Sequence, residues 1–94
     1  MDVVIVEVKL DPDRMTETRQ VLTDVIAPRA REFAGFQSGS WLRSSDSDAG
    51  RSLLFFDSES SAREAADEIR THGVPEGMPV RMEHVETFEV LVQT

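Results

Sequence analysis

Cysteine is absent from this chain, and lysine occurs once, as Lys9. Without thiols there is no disulfide framework, no thiolate zinc site and no cysteine nucleophile. Basic residues are also scarce: Lys and Arg together number 10 against 18 Asp and Glu, giving a net charge of −8 and a pI near 4.6. The Arg residues are scattered rather than clustered. Phosphate recognition needs a basic surplus on one face, so nucleic acid is not an expected partner, and the acidic balance serves solubility. No apolar run approaches the roughly 18–20 residues that span a bilayer, so no membrane partner is expected. The opening MDVVIVEVKL carries acidic residues and no basic n-region, so it does not read as a secretory signal, and a cytoplasmic location is the expectation. Three chemical motifs are missing as well. His72 and His84 lack the i, i+4 spacing of a metal pair and have no cysteine partners, so no metal is expected. The stretch GVPEGMP has neither the lysine nor the spacing of a phosphate loop. The nearest string to a nucleophile elbow, Gly35-Phe36-Gln37-Ser38-Gly39, has the wrong internal spacing.

What is present is an ordinary folding composition, 39% hydrophobic and 30% charged over 94 residues, enough for one domain spanning 1–94. The organising stretch runs from Gly35 to Ser58, where the only Trp and three of the five Phe fall. It reads as a hairpin: FQSGSWLR, a polar turn SSDSDAG, then RSLLFFD, which is apolar on both faces. Before it, VVIVEVKL at 3–10 is β-branched and strand-like, with Val4, Val6, Val8 and Leu10 in one apolar register. Asp11-Pro12-Asp13 stops that strand. A helix follows, with Met15, Val21, Leu22, Val25, Ile26, Ala30 and Phe33 at 3- and 4-residue spacing, kinked or interrupted by Pro28 and stopped by Gly35. After the hairpin a second helix starts near 58–61, with Ser61 and Glu64 at capping-box spacing and a narrow face of Ala62, Ala65, Ala66 and Ile69. A last strand over about 80–92 carries Val80, Met82, Phe88, Val90 and Val92 in one register, interrupted by His84 and Glu86. The order β-α-β-β-α-β predicts an α+β, ferredoxin-like fold: a four-stranded antiparallel sheet with two helices on one face. The other face of the first strand begins apolar and ends charged, and no further element remains to cover it. A homodimer is therefore the expected partner arrangement.

Length, element order, and the passage from LLFFDSES into the Ala-rich SAREAADEI resemble the dimeric α+β barrel superfamily, in particular the antibiotic-biosynthesis-monooxygenase-like domains. The likeness covers nearly the whole chain and rests on architecture rather than a sharp motif. It implies two sheets packed face to face in a homodimer, with a ligand pocket in each subunit between sheet and helices. Members include cofactor-independent quinol oxygenases, haem-degrading enzymes and isomerases. Characterised oxygenase and haem-degrading relatives commonly use an Asn, a Trp and a His, sometimes with Tyr and Arg. This sequence has Trp41 and His72 but no Asn or Tyr.

The candidate site residues each carry two readings. Trp41 is either the wall of an aromatic-ligand site or an apolar core or interface residue. His72 is either an acid/base group near neutral pH or a cation at a helix C-terminus. His84 and Glu86 alternate with Met82 and Phe88, so all four are expected on one face. They then line the main pocket, with Glu86 orienting a catalytic His84, or they make a cross-strand or intersubunit hydrogen bond. Arg43 and Arg51 either receive a carboxylate ligand or stay at a solvated rim near Asp46 and Asp48. Two functions follow. One is a cofactor-independent monooxygenase-like enzyme acting on a small aromatic or polyketide-like substrate, with His72 and His84 catalytic and Trp41, Arg43, Met82, Glu86 and Phe88 binding. The other is a non-catalytic dimeric module that binds a small apolar ligand or a protein. An isomerase with His84 as base is a weaker third.

Overall fold

The computed structural model describes every residue except Glu76, so the loop expected over 73–79 is described apart from that position. Strand β1, Asp2–Leu10, is central and antiparallel to both its neighbours. The hairpin strands are β2, Phe36–Arg43, and β3, Ala49–Phe56; the last strand is β4, Val80–Glu89. The sheet order is β2-β3-β1-β4, with antiparallel pairing throughout. This is the ferredoxin-like arrangement that the element order predicts.

The first helical segment is not a plain α-helix. A 3-10 turn, Pro12–Arg14, is capped by Asp11, whose side chain accepts from the Asp13 N–H. Then come helix α1, Met15–Val21, a π turn, Leu22–Ile26, and helix α2, Ala27–Arg31. Pro28 was expected to interrupt the helix, and it does so by one wide turn rather than a break. Proline lacks an N–H and its ring collides with the carbonyl four residues back. The π turn widens the spiral just before it, and the Ala27 N–H reaches back to the Leu22 carbonyl. The Thr23 hydroxyl donates to the Arg19 carbonyl at 2.9 Å within the same turn. The helix ends at Arg31, ahead of Gly35, so Gly35 acts in the turn into β2 rather than as the helix stop. Its φ is +77°, and a Cβ there would lie 2.4 Å from Asp57 Oδ1 and 2.6 Å from Ser61 Oγ, so both backbone and space require glycine.

Helix α3, Glu59–His72, is capped by Ser58, whose hydroxyl accepts from the Ser61 N–H at 3.2 Å. The capping residue is therefore Ser58, not Ser61. Ala62, Ala65 and Ala66 are buried against the sheet, and the absence of longer side chains lets the helix approach closely. Arg70 donates to the Val85 carbonyl at 2.9 Å and ties α3 to β4. Val4, Val6, Leu54, Phe56 and Val85 complete the core with Ala30 from α2. The Phe56 ring is fully buried and meets Phe33 at 6.3 Å and Phe36 edge-on at 5.9 Å.

Two β-bulges decide which side chains share a face. On β4, His84 pairs with Glu7 and Met82 with Val8, leaving Glu83 as the extra residue. Val80 and Met82 lie on the helix side, opposite Leu10 and Val8. Beyond the bulge the helix side is taken by Val85 and Thr87, opposite Val6 and Val4. The single shared register expected from Val80 to Val92 is thus wrong: His84, Glu86 and Phe88 face the open side of the sheet, and β4 ends at Glu89. On β2 the shift lies at Gln37, so Phe36 joins Gly39, Trp41 and Arg43 on the helix side, and Ser38, Ser40 and Leu42 face outward. A strict two-residue period along FQSGSWLR predicts Phe36 on one face with Ser38, Ser40 and Leu42, and the bulge at Gln37 corrects that grouping.

β3 is apolar on both faces, but the two are not equally closed: Phe56 is buried and Phe55 half-buried on the open side. Phe56→Ala is expected to lower unfolding free energy by about 3–5 kcal/mol in denaturant melts. Phe55→Ala should cost clearly less at concentrations where the chain is monomeric, and comparable losses there would contradict the assigned faces.

Candidate functional site

A cavity of about 800 Å³ lies between the helices and the sheet. Its floor includes Val6, Val8, Ser52 and Leu54 of the two middle strands. One wall comes from the first helical segment: Met15, Thr18, Val21, Leu22, Ile26 and Ala30. The π turn shifts the helical phase within that wall. Glu68, Ile69 and His72 of α3 form the opposite wall, and Val74, Pro75 and Met78 extend it. Trp41 lines the cavity from the edge strand β2. Gly39 makes room for it, since a Cβ there would lie 3.0 Å from the end of the indole and 3.2 Å from Leu54.

Of the residues singled out from the sequence, Trp41, Arg43, Arg51, His72 and Met82 line this cavity together. His84, Glu86 and Phe88 do not. The Glu83 bulge turns them to the opposite face, where His84 Nε2 and Glu86 Oε1 are 2.9 Å apart and exposed. The expectation that His84 lines the main pocket is corrected by that one-residue displacement. A side-by-side His–Glu contact is present, but it serves the open sheet face. Arg51 pairs with Glu7 at 3.1 Å rather than with Asp46 or Asp48. No group of three or more His, Asp or Glu that could hold a metal is found among the described residues.

The sequence reading missed Thr18, Arg19, Arg29 and Glu68, all of which line the cavity. Thr18 falls three residues after Met15 and four before Leu22, on the same helical stripe, so its spacing was the available signal. It is 1% exposed, and its hydroxyl has no hydrogen-bond partner among the described residues.

No protein-family model matches the chain, and no curated protein matches its sequence. Solved structures do. The haem-degrader MhuD of Mycobacterium tuberculosis, with two haems bound in its active site, superposes with a TM-score of 0.78 at 16% identity, covering 100% of this chain and 99% of that one. A Deinococcus radiodurans protein assigned to the antibiotic biosynthesis monooxygenases gives 0.63 at 13%, covering 100% and 96%. The fold is that of the antibiotic-biosynthesis-monooxygenase-like domains. The ActVA-Orf6 monooxygenase of Streptomyces coelicolor, in complex with nanaomycin D, shares it with a TM-score of 0.57 at 19% identity, covering 99% and 91%. In this antibiotic-biosynthesis-monooxygenase-like fold the cavity sits over the helix-covered face, and the other face of the sheet is left open.

The two faces make separable predictions. His84→Leu combined with Glu86→Leu should leave the affinity of any cavity ligand within about twofold, because neither residue reaches the cavity. Since Trp41 is the only Trp, ligand entry should quench or shift its fluorescence, and titrating both proteins by that signal checks the claim. A large loss of affinity in the double variant would contradict the assignment.

Proposed function

We propose that residues 1–94 form one antibiotic-biosynthesis-monooxygenase-like domain acting as a cofactor-independent oxygenase on a small aromatic or polyketide-like substrate in the cavity between sheet and helices. The observation that carries this reading is the joint placement of Trp41 and His72 on one apolar cavity of ligand size. Trp41 offers a flat face for an aromatic ring. His72, at the end of α3, is the imidazole that reaches the cavity, and an imidazole can take a phenolic proton near neutral pH. An electron-rich phenolate can reduce dioxygen itself. One oxygen atom then enters the substrate as a carbonyl, and the other leaves as water with two substrate hydrogens, so no outside reductant is needed. The relatives with bound nanaomycin D and bound haems support a cavity of this kind as a ligand site.

We also propose that the chain works as a homodimer through its open sheet face, in the cytoplasm. Ile5, Leu53 and Phe55 are only half-buried there, Phe88 is 42% exposed and Leu42 is 50% exposed. Such an apolar face is unfavourable in water and needs a cover. No described helix is long and apolar enough to cross a membrane.

Two measurements test these readings. A thermal-shift screen with quinols, aromatic acids and hemin should give stabilisation by at least one aromatic compound, since a ligand of the folded state raises stability by mass action. With a stabilising quinol, oxygen consumption should fall by about 10²–10⁴-fold in His72→Ala with binding kept. Binding without oxygen uptake would favour the non-catalytic module instead. For assembly, light scattering at micromolar concentration should give about twice the 10.5 kDa chain mass, and a monomer would overturn the dimer.

A further inference from the structure

The cavity is not uniformly apolar, and the position of its charged groups suggests what kind of molecule fits. β1 and β2 run parallel to each other, and both end where α1 begins and α3 finishes. Backbone bonds fasten that end: Leu10 N–H to the Asp48 carbonyl at 2.7 Å and Asp11 N–H to the Pro79 carbonyl at 3.2 Å. Thr18 lies in the first turns of α1, Arg19 follows it, Arg43 closes β2 and His72 closes α3. All four therefore belong to the same end of the cavity that they line. The far end is formed by Leu54, Ala30 and Phe33, with the buried Phe56 packed beyond.

One observation there is unexplained by folding alone. The Thr18 hydroxyl is buried without a partner, which ordinarily costs about 1–3 kcal/mol. Arg19 and Arg43 stand exposed at the same end and, like Arg29 and Arg31, make no ion pair with a described residue, while Arg14, Arg51, Arg63, Arg70 and Arg81 are all paired. Two carboxylates also line the cavity. Glu32 stands one turn from Arg29 toward the far end, and Glu68 is one turn before His72 on the α3 wall. The positive excess is thus on the α1 and β2 side of the polar end.

We propose that the ligand of this cavity is an aromatic carboxylate. Its ring lies along Trp41 toward Leu54, and its acid group is received by the Thr18 hydroxyl and the guanidinium groups of Arg19 and Arg43. A change of χ1 rotamer turns the Thr18 hydroxyl, enclosed in the free chain, onto a carboxylate oxygen and gives it the partner it lacks. The two exposed guanidiniums supply charge-assisted donors at the solvent side of the cavity, beside its apolar walls. The proposal rests on the cavity being a binding site, as argued above, and it adds the chemical class.

The test is a matched pair of probes, 2-naphthoate and the neutral 2-naphthamide, titrated calorimetrically at pH 7.5 with Trp41 fluorescence as a second signal. The wild-type chain should bind the acid roughly ten- to a hundredfold more tightly than the amide. In Arg19→Gln with Arg43→Gln that preference should collapse toward unity, because the amide loses nothing. Thr18→Val keeps the side-chain volume and removes the unpaired hydroxyl. It should raise the melting temperature of the free protein while weakening naphthoate binding several-fold, a combination that a packing role alone would not give. Equal affinity of the two probes for the wild type, or a preference undiminished in the double variant, overturns the carboxylate inference and leaves the site itself standing. Binding of a quinol but of neither naphthyl probe overturns it too. Failure of every compound in the wider screen would remove the binding reading together with the inference.

Discussion

β1 is hydrogen-bonded along both edges, and its side-chain alternation sorts the molecule into two faces. Val4, Val6, Val8 and Leu10 point to the helices; Val3, Ile5, Glu7 and Lys9 point away. Everything else is placed by reference to that strand. β3 aligns Leu54 and Phe56 with the helix side, and β4 does the same with Met82 before its bulge and Val85 after it. A slip of one residue between β1 and either neighbour would expose that neighbour's core side chains, so the register is strongly held.

The cavity follows from how unequally the helices fill that face. α3 comes down on alanines and closes over β1 and β4, while Phe33, Phe36 and Phe56 close one end of the space beneath the first helical segment. Between them the sheet presents Val6, Val8 and Ser52, too small to fill the gap. Pro28 contributes indirectly, since the wide turn that accommodates it lies in the stretch that forms the cavity wall. A proline inside the helix thus sits beside the site, where departures from regular backbone are commonly concentrated.

The cavity and the open apolar face are separated by the thickness of one sheet. Trp41 and His72 look into the cavity; the His84–Glu86 pair, Phe55 and Phe88 look the other way. The apolar side chains of the open face are therefore distinct from those that line the cavity. Polar groups on that face, including Glu7 with Arg51 and His84 with Glu86, are satisfied within it.

Much was legible in the chain itself. The β-branched 3–10 stretch, the heptad-like apolar spacing of the first helix, the Ala face of α3 and the double Phe of β3 each carry a local period, and such periods depend on side chains a few residues apart. They determined the element order and the helix-covered face of β1, whereas Trp41 and His72 became candidates through the family resemblance. What the periods cannot encode is an extra residue in one strand, because a bulge depends on how a strand pairs with its neighbour rather than on the strand's own pattern. Glu83 and Gln37 are such residues, and they sent His84 and Glu86 out of the pocket and brought Phe36 into the helix side. The burial of Thr18 was likewise decided in three dimensions. Its spacing placed it on the inner stripe, but only the packing of α1 over the sheet left its hydroxyl enclosed beside a cavity with no partner.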